Sequence, residues 1–504
     1  MNKFRSLIPI LIATLLLSLS RLPLHLGFLS VFAWLPLLWY FDLRYHKLRE
    51  LFVAALLFCG VFTASVLYWI ATVTLPGLIG IWVIHSLFYT LAFYAIQRVW
   101  NNLPKFRYPI FVAVLLSLEY LIQFGETRFP WLNISYALSE YNLFLQALDL
   151  VGQIGLSALV LILSICLYQA LRGRYKALIP AAVIIVLWAG YGLWRISDME
   201  LEKHEAGIFI AQPSIPQDKK WDESFYLEIL SRYDKLSAEA KADSAKLLIL
   251  PEGSFPVYLI RDPGQLAPLY QLIQNYGLEY FAGFPDYRPA PSDHVDPNYY
   301  YNAAALFSEV GDRPEPYYKN ILVPVGERML WLDLFPFLWK LQFGQANWEF
   351  GTELKWYRSG DFEFSPSICY ELAFPELYHK SAIPKGPEGY RKTDYLVNIT
   401  NDAWFGTSYG PWLHGIMTKY RAIENRVQIY RAAQTGISMI IDPMGRTLNQ
   451  TKLFELSNIT APLYISRSIP PIRRIYRYPM LIVLFAITIF IWACIKKLRK
   501  EERS

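Results

Sequence analysis

The stretch FEFSPSICYELAFPE, residues 362–376, decides how the rest of this chain is read. It starts as an extended, strand-like run and breaks at Cys369 into Tyr370, Glu371 and then Pro375. A strand that ends in a thiol and a carboxylate puts reactive groups at a sheet edge, which is where open α/β sheets carry their sites. Short apolar segments recur on both sides of it: GIFIAQ at 207–212, KLLILPE at 246–252, EYFAGF at 279–284, NAAALF at 302–307, DYLVNIT at 394–400 and GISMIID at 436–442. Helical patterns such as 222–243 and 414–426 lie between them, so residues 199–467 are expected to form an α/β layered domain with buried sheets.

Cys369 has no other cysteine in that block, because Cys59, Cys166 and Cys494 all fall in apolar runs elsewhere. A thiol without a disulfide partner is either inert and buried or reactive. Reactivity requires a base to take its proton and a positive group to favour the anion. Two further strand ends offer them. LLILPEGSFP at 247–256 carries Glu252, and YYKNILVPVGE at 317–327 carries Lys319 and, eight residues on, Glu327. Each alone reads as an ordinary loop carboxylate, surface lysine or helix-flanking glutamate; the motifs of Glu252, Lys319 and Cys369 together are much less ordinary than each apart.

Beyond the block the composition changes. The chain has 504 residues, 54% hydrophobic and only 18% charged, and the excess lies mainly outside 199–467. Seven apolar runs (about 6–20, 22–40, 51–70, 77–97, 108–124, 154–171 and 178–195) precede the block and an eighth, 478–495, follows it. Each approaches the roughly 20 apolar residues of a membrane helix. The first is read as a retained helix, since no A-x-A site follows it and the second begins just after Arg21. The layout is therefore residues 1–198 as transmembrane helices, 199–467 as the soluble domain, and 468–504 as a closing helix with a basic tail.

Lysine and arginine collect at alternate loops: Lys3 and Arg5 before the first run, then Arg44, Lys47 and Arg49 after the second, Arg98, Lys105 and Arg107 after the fourth, Arg172, Arg174 and Lys176 after the sixth, and Lys496, Lys497, Arg499, Lys500 and Arg503 after the eighth. By the positive-inside rule both termini are expected in the cytoplasm and the α/β block on the opposite side. Arg467, Arg473, Arg474 and Arg477 run against that rule and read as contacts for lipid phosphate. The net charge of +6 is modest, and no basic stripe with interleaved aromatics points to nucleic acid.

Glu252 in LPEGSFP, Lys319 in YYKNILVPVGE and Cys369 in ICYE resemble the Glu-Lys-Cys triad of the nitrilase (carbon-nitrogen hydrolase) superfamily. The membrane runs on either side narrow the resemblance to the apolipoprotein N-acyltransferase family, over essentially the whole chain. IPQDKKWD with Trp221, RFPWLNISYAL at 128–138 and residues 400–426 are similar to further segments of that family. Val325, Arg328 and Leu330 depart from its usual phenylalanine, tyrosine and proline, a change that bears on acyl-chain or phospholipid preference rather than on the triad.

The resemblance implies a four-layer α-β-β-α sandwich and no cofactor or metal. Glu252 would be the general base, Cys369 the nucleophile and Lys319 the oxyanion stabiliser, with Glu327 holding Lys319, Tyr370 and Glu371 shaping the pocket, and Trp221 acting as a lid. It implies a bacterial inner-membrane acyltransferase, working as a monomer by a ping-pong thioester route. The donor would be a membrane phospholipid, phosphatidylethanolamine by expectation, and the acceptor the diacylglyceryl-Cys α-amine of an apolipoprotein. The aromatic stretch WLDLFPFLWKLQFGQANWEF at 331–350 reads either as an arm at the bilayer surface or as an amphipathic helix on the domain. Three rival readings remain: a membrane-anchored amidase with the same triad, a Cys-His hydrolase pairing Cys369 with His204, His294, His379 or His414, and an inactive transporter or scaffold.

Overall fold

The computed structural model describes residues 5–220, 223–292, 294, 296–311, 313–340, 347–386, 389–390 and 392–501. The chain divides into two compact units, residues 1–198 with 474–504, and residues 199–473.

In the first unit, apolar helices occupy the expected runs: Ile8–Arg21, Leu29–Leu43, Leu48–Val66, Leu75–Asn102, Arg107–Leu121, Leu148–Leu171, Leu178–Asp198 and Pro479–Glu501. Among the described residues five helices are long and apolar enough to cross a membrane. Ile8–Arg21, Leu29–Leu43 and Arg107–Leu121 have 14 or 15 residues, short of a full straight crossing. Five helices therefore meet the length requirement where the sequence led us to expect eight. Leu91, Val186, Leu187 and Leu481 stay mostly exposed on these helices, as side chains facing lipid would. The polar groups turn inward and pair: Arg195 meets Asp149 at 2.8 Å, and Asp42 accepts from Trp100 and Tyr168. Buried charge inside an apolar bundle has to be paired in this way.

The second unit holds two six-stranded sheets. In spatial order one sheet runs Ser457–Thr460, Ile208–Gln212, Leu247–Ile249, Glu279–Pro289, Asn298–Phe307 and Tyr317–Tyr318. The other runs Thr447–Gln450, Met439–Ile441, Gln428–Ala433, Tyr395–Thr400, Phe362–Ile368 and Tyr357–Ser359. The central strands of each are parallel and buried on both faces, which is why they read as continuous apolar runs rather than alternating ones. Ile210, Ile249, Phe281 and Ala304 of the first sheet pack against Phe364, Val397, Ile399 and Tyr430 of the second, with Phe281 edge-on to Phe364 at 5.2 Å. Helices Tyr226–Ala242 and Pro263–Tyr276 cover the outer face of the first sheet with Tyr233, Leu236, Leu269 and Leu272. Helices Pro375–Ala382 and Met417–Asn425 pack on the second. The result is the four-layer α-β-β-α arrangement.

All six expected apolar segments contain strand residues, and the two helical patterns become Tyr226–Ala242 and the pair Gly410–Gly415 and Met417–Asn425. The break in the second helix falls at Ile416.

Candidate active site

Three strand ends converge. Glu252 follows Leu247–Ile249 in the turn Pro251–Glu252–Gly253, and the neighbouring strand Glu279–Pro289 passes directly beneath it at Gly283. A Cβ on Gly283 would lie 2.7 Å from the Gly253 nitrogen and 2.9 Å from the Glu252 Cα, so only glycine lets the two backbones approach. Lys319 follows Tyr317–Tyr318 and is tied in by its backbone, its N–H donating to the Asn302 carbonyl at 2.9 Å. Cys369 ends Phe362–Ile368 and opens a short 3-10 turn, with φ at +50°. That left-handed backbone costs a non-glycine residue about 1–3 kcal/mol, so the surrounding structure has to hold it.

The side chains form one buried charge cluster. Lys319 Nζ donates to Glu327 Oε1 at 2.7 Å and lies 3.4 Å from Glu252 Oε1. Asn302 Nδ2 donates to the same Glu252 oxygen at 2.6 Å, and the Asn401 backbone N–H donates to the other at 2.8 Å. Glu327 is fixed in turn by the Val323 N–H at 2.8 Å. Lys220, also buried, donates to the Glu252 backbone carbonyl at 2.9 Å.

These contacts decide the protonation states. Burial pushes the Glu252 carboxyl up, but Lys319 and Lys220, with the Asn302 and Asn401 donors, outweigh it and hold the group below the usual carboxylate range. Burial also works against the Lys319 ammonium, and Glu252 and Glu327 overcome it, so this lysine keeps its proton. For Cys369 burial and the nearby Glu252 carboxylate raise the thiol, and Lys319 offsets them only in part. At rest the site therefore holds a carboxylate, an ammonium and a thiol. The positive group does not generate a standing thiolate, and the proton must leave during attack.

Glu371, which the resemblance makes a pocket residue, joins two loops. It is fully buried and accepts from Tyr317 Oη at 2.8 Å and from the backbone N–H groups of Asn320, Ile321 and Ile368 at 2.6, 3.1 and 2.6 Å. It thereby staples the Lys319 loop to the Cys369 turn. Tyr370 is buried as well and packs edge-on against Phe374 at 5.2 Å. Trp221 lies outside the described residues.

The histidines do not form a Cys-His pair with the thiol. His379 bonds Asn425, His294 bonds the Asp296 backbone, and His204 packs against Phe362. His414 reaches Cys369, but at its backbone carbonyl, 3.2 Å from Nε2. Arg467 and Arg473, read earlier as contacts for lipid phosphate, are engaged within the domain, Arg467 by Glu202 and Asp394 and Arg473 by the Ile383 carbonyl.

In its described part the aromatic stretch after Glu327 is a turn followed by a 3-10 segment, Pro336–Lys340; residues 341–346 lie outside the described set. Trp331, Leu334, Phe335 and Phe337 are exposed on it. Arg328, one of the departures from the family pattern, is buried at its base, where it donates to the Trp348 carbonyl and Glu349 at 3.0 Å and to Asp333 at 2.6 Å. Val325, another, takes a positive φ of 64°.

Sequence reasoning missed Asn302, the Asn401 backbone donor and Lys220. Asn302 opens the apolar segment NAAALF and Lys220 stands within IPQDKKWD. Neither has a local signal, because their roles arise from chain segments 50 and 32 residues away.

Comparison with known proteins gives consistent matches. Residues 210–468 match the carbon-nitrogen hydrolase family, and residues 13–166 match the apolipoprotein N-acyltransferase N-terminal domain. The chain is 31% identical to the apolipoprotein N-acyltransferase of Geobacter metallireducens, covering 78% of this chain and 77% of that one. It is 29% identical to the protein of the same name from Rickettsia prowazekii, covering 73% and 71%. Among solved structures, Saccharomyces cerevisiae Nit3, a member of branch 10 of the nitrilase superfamily, is 18% identical with a TM-score of 0.37, covering 54% of this chain and 92% of that one.

Proposed function

Because this chain belongs to the apolipoprotein N-acyltransferase family, we propose that Glu252, Lys319 and Cys369 are the catalytic triad of its acyl transfer in lipoprotein maturation. It is an acyltransferase acting on lipoproteins and membrane lipids, and its apolar helices suit the inner membrane. The observation that carries the triad is the cluster of Glu252, Lys319 and Glu327 within electrostatic reach of the thiol at the Cys369 turn.

The chemistry follows from the protonation states. Glu252 takes the Cys369 proton as Sγ attacks the ester carbonyl of a phospholipid, with phosphatidylethanolamine the expected donor. The new C–S bond leaves an oxyanion, which Lys319 stabilises; a donor of this kind contributes about 3 kcal/mol. Collapse breaks the C–O bond, Glu252 returns the proton to the leaving oxygen, and a lysophospholipid departs from the thioester. The α-amine of the diacylglyceryl-Cys then attacks the thioester. Its proton passes to Glu252, the C–S bond breaks, and the Cys369 thiol is restored. Transfer rather than hydrolysis requires that water be kept from the thioester. Glu327 orients Lys319, and Trp221 serves as a lid. The enzyme works as a monomer, with both termini cytoplasmic and the α/β unit periplasmic.

Purified protein in detergent, given phospholipid with a labelled acyl chain, should form a hydroxylamine-sensitive adduct that Cys369→Ala lacks. Adduct formation by Cys369→Ala removes Cys369 as nucleophile. Adding a diacylglyceryl-Cys peptide should discharge the label into an amide; release as free fatty acid would favour the hydrolase reading. A reporter fused at Ser504 that is active only outside the cytoplasm would overturn the orientation.

A further inference from the structure

Of the four histidines weighed as partners of Cys369, His414, in WLHG at 412–415, is the one that reaches the nucleophile residue, and the triad leaves it without a task. The structure gives it one at the backbone of the nucleophile. Its Nε2 lies 3.2 Å from the Cys369 carbonyl oxygen. A carbonyl only accepts, so Nε2 carries the hydrogen. That leaves Nδ1 of the neutral ring as an acceptor, and Arg431 Nη2 donates to it at 3.0 Å. Arg431 Nη2 also donates to Asp402 Oδ2 at 2.7 Å, and Thr400 Oγ1 donates to Asp402 Oδ1 at 3.0 Å. All four side chains are buried, and they come from a helix, a 3-10 turn and two adjacent strands. A buried histidine, aspartate and arginine are costly to assemble for packing alone.

The carbonyl they hold belongs to the strained residue. Cys369 has its left-handed φ of +50° at the point where the strand gives way to the turn, and the direction of Sγ follows from that backbone. The peptide from Cys369 to Tyr370 is planar, so holding its carbonyl also fixes the direction of the Tyr370 N–H at the opposite edge. The other side-chain donor to this carbonyl, Asn398 Nδ2, is at 3.5 Å, the limit of a hydrogen bond.

We propose that His414 is a positioning residue for acyl transfer: its Nε2–H holds the Cys369 carbonyl and so fixes the turn that aims the thiol, with Arg431, itself held by Asp402, fixing the ring. This rests on Cys369 being the nucleophile.

The test measures single-turnover formation of the acyl adduct in detergent for wild type, Cys369→Ala, His414→Ala and His414→Gln, with phospholipid varied so that the limiting rate and half-saturation separate. Glutamine places an N–H close to the position of Nε2. The expected result is a loss of about a hundredfold in the limiting rate for His414→Ala, the scale of a small misplacement of a reacting group, with half-saturation little changed and most of the rate recovered in His414→Gln. Equal loss in both His414 variants, or a wild-type rate in His414→Ala, overturns the role of the Nε2 donor. If Cys369→Ala itself forms the adduct, the nucleophile assignment fails instead, so the two failures are distinguishable. Thermal unfolding of both His414 variants separates misfolding from misplacement: an alanine variant that folds like the glutamine variant yet reacts slowly supports the proposal, and one that loses rate only in proportion to lost fold overturns it.

Discussion

Two buried carboxylates, Glu252 and Glu371, lie on either side of the Lys319 loop and behave in opposite ways. Glu252 has two ammonium groups near it and stays ionised below the ordinary carboxylate range. Glu371 is bonded by neutral donors, the Tyr317 hydroxyl and three backbone N–H groups, with Lys319 a lesser influence than the Ile368 and Tyr317 bonds, and burial raises it to about 7. Hydrogen bonds satisfy the oxygens in both cases. The difference is the strength of the countercharge: dipoles with a minor contribution from Lys319 do not repay the desolvation of Glu371, while Lys319 within 4 Å, joined by Lys220, does so for Glu252. One carboxylate is thereby kept ready to take a proton, and the other serves as a neutral-leaning brace between two loops.

The largest test removes that countercharge. In Lys319→Met, Glu252 should come to resemble Glu371, with burial no longer opposed by the nearer ammonium. Acyl-adduct formation should fall about a thousandfold, since oxyanion stabilisation is lost as well. The acid limb of the surviving rate should also move. In wild type Glu252 is ionised to below its ordinary value of 4.5, so the rate should hold at least to that pH; in the variant the limb should move upward. A limb that stays in place would mean that Lys319 does not set the state of Glu252.

The second test acts on the brace. The folded state holds the Glu371 proton up to about 7, whereas the unfolded chain releases it near 4.5. The fold binds more protons than the unfolded chain across that window, so this group's contribution to stability falls as pH rises from about 4.5 to 7 and is level beyond it. Glutamine does not titrate. The unfolding temperature of wild type relative to Glu371→Gln should therefore decline across that window, which thermal unfolding in detergent from pH 4.5 to 8 would measure. Parallel curves would show that Glu371 titrates alike in both states.

The same contrast explains what was legible in the sequence. The apolar strands announce themselves because parallel sheets bury both faces, and Glu252, Lys319 and Cys369 stand where those strands stop. The roles of Glu371 and Asn302 were not legible, because a carboxylate next to a cysteine and an asparagine at a strand start look alike whether they face a substrate or a backbone. Only the fold shows that Glu371 collects N–H groups from two loops and that Asn302 points its amide at Glu252. Edge strands such as Thr447–Gln450, mostly exposed and polar, also left no apolar run to read. The break of the helical pattern at Ile416 was hidden in the same way, since apolar and aromatic residues continue through it.

The smallest expected effect concerns the second ammonium. Burial lowers Lys220 to about 8, with Glu252 and Cys369 opposing that shift, so it is the cation of the site that gives up its charge within reach of ordinary assays. Its loss should matter less than that of Lys319, because Lys319 stays protonated and remains 3.4 Å from the Glu252 carboxylate, while Lys220 bonds the Glu252 main chain. Wild type should therefore show a fall of a few-fold in acyl-adduct formation as pH passes about 8, and Lys220→Gln should start lower and show no such fall. The measurement belongs on the acylation half-reaction alone, since the α-amine acceptor of the full reaction itself titrates near 8. If Lys220→Gln keeps the same alkaline limb, the limb belongs to another group, and Glu252 owes its ionised state to Lys319 and its hydrogen-bond donors without help from Lys220.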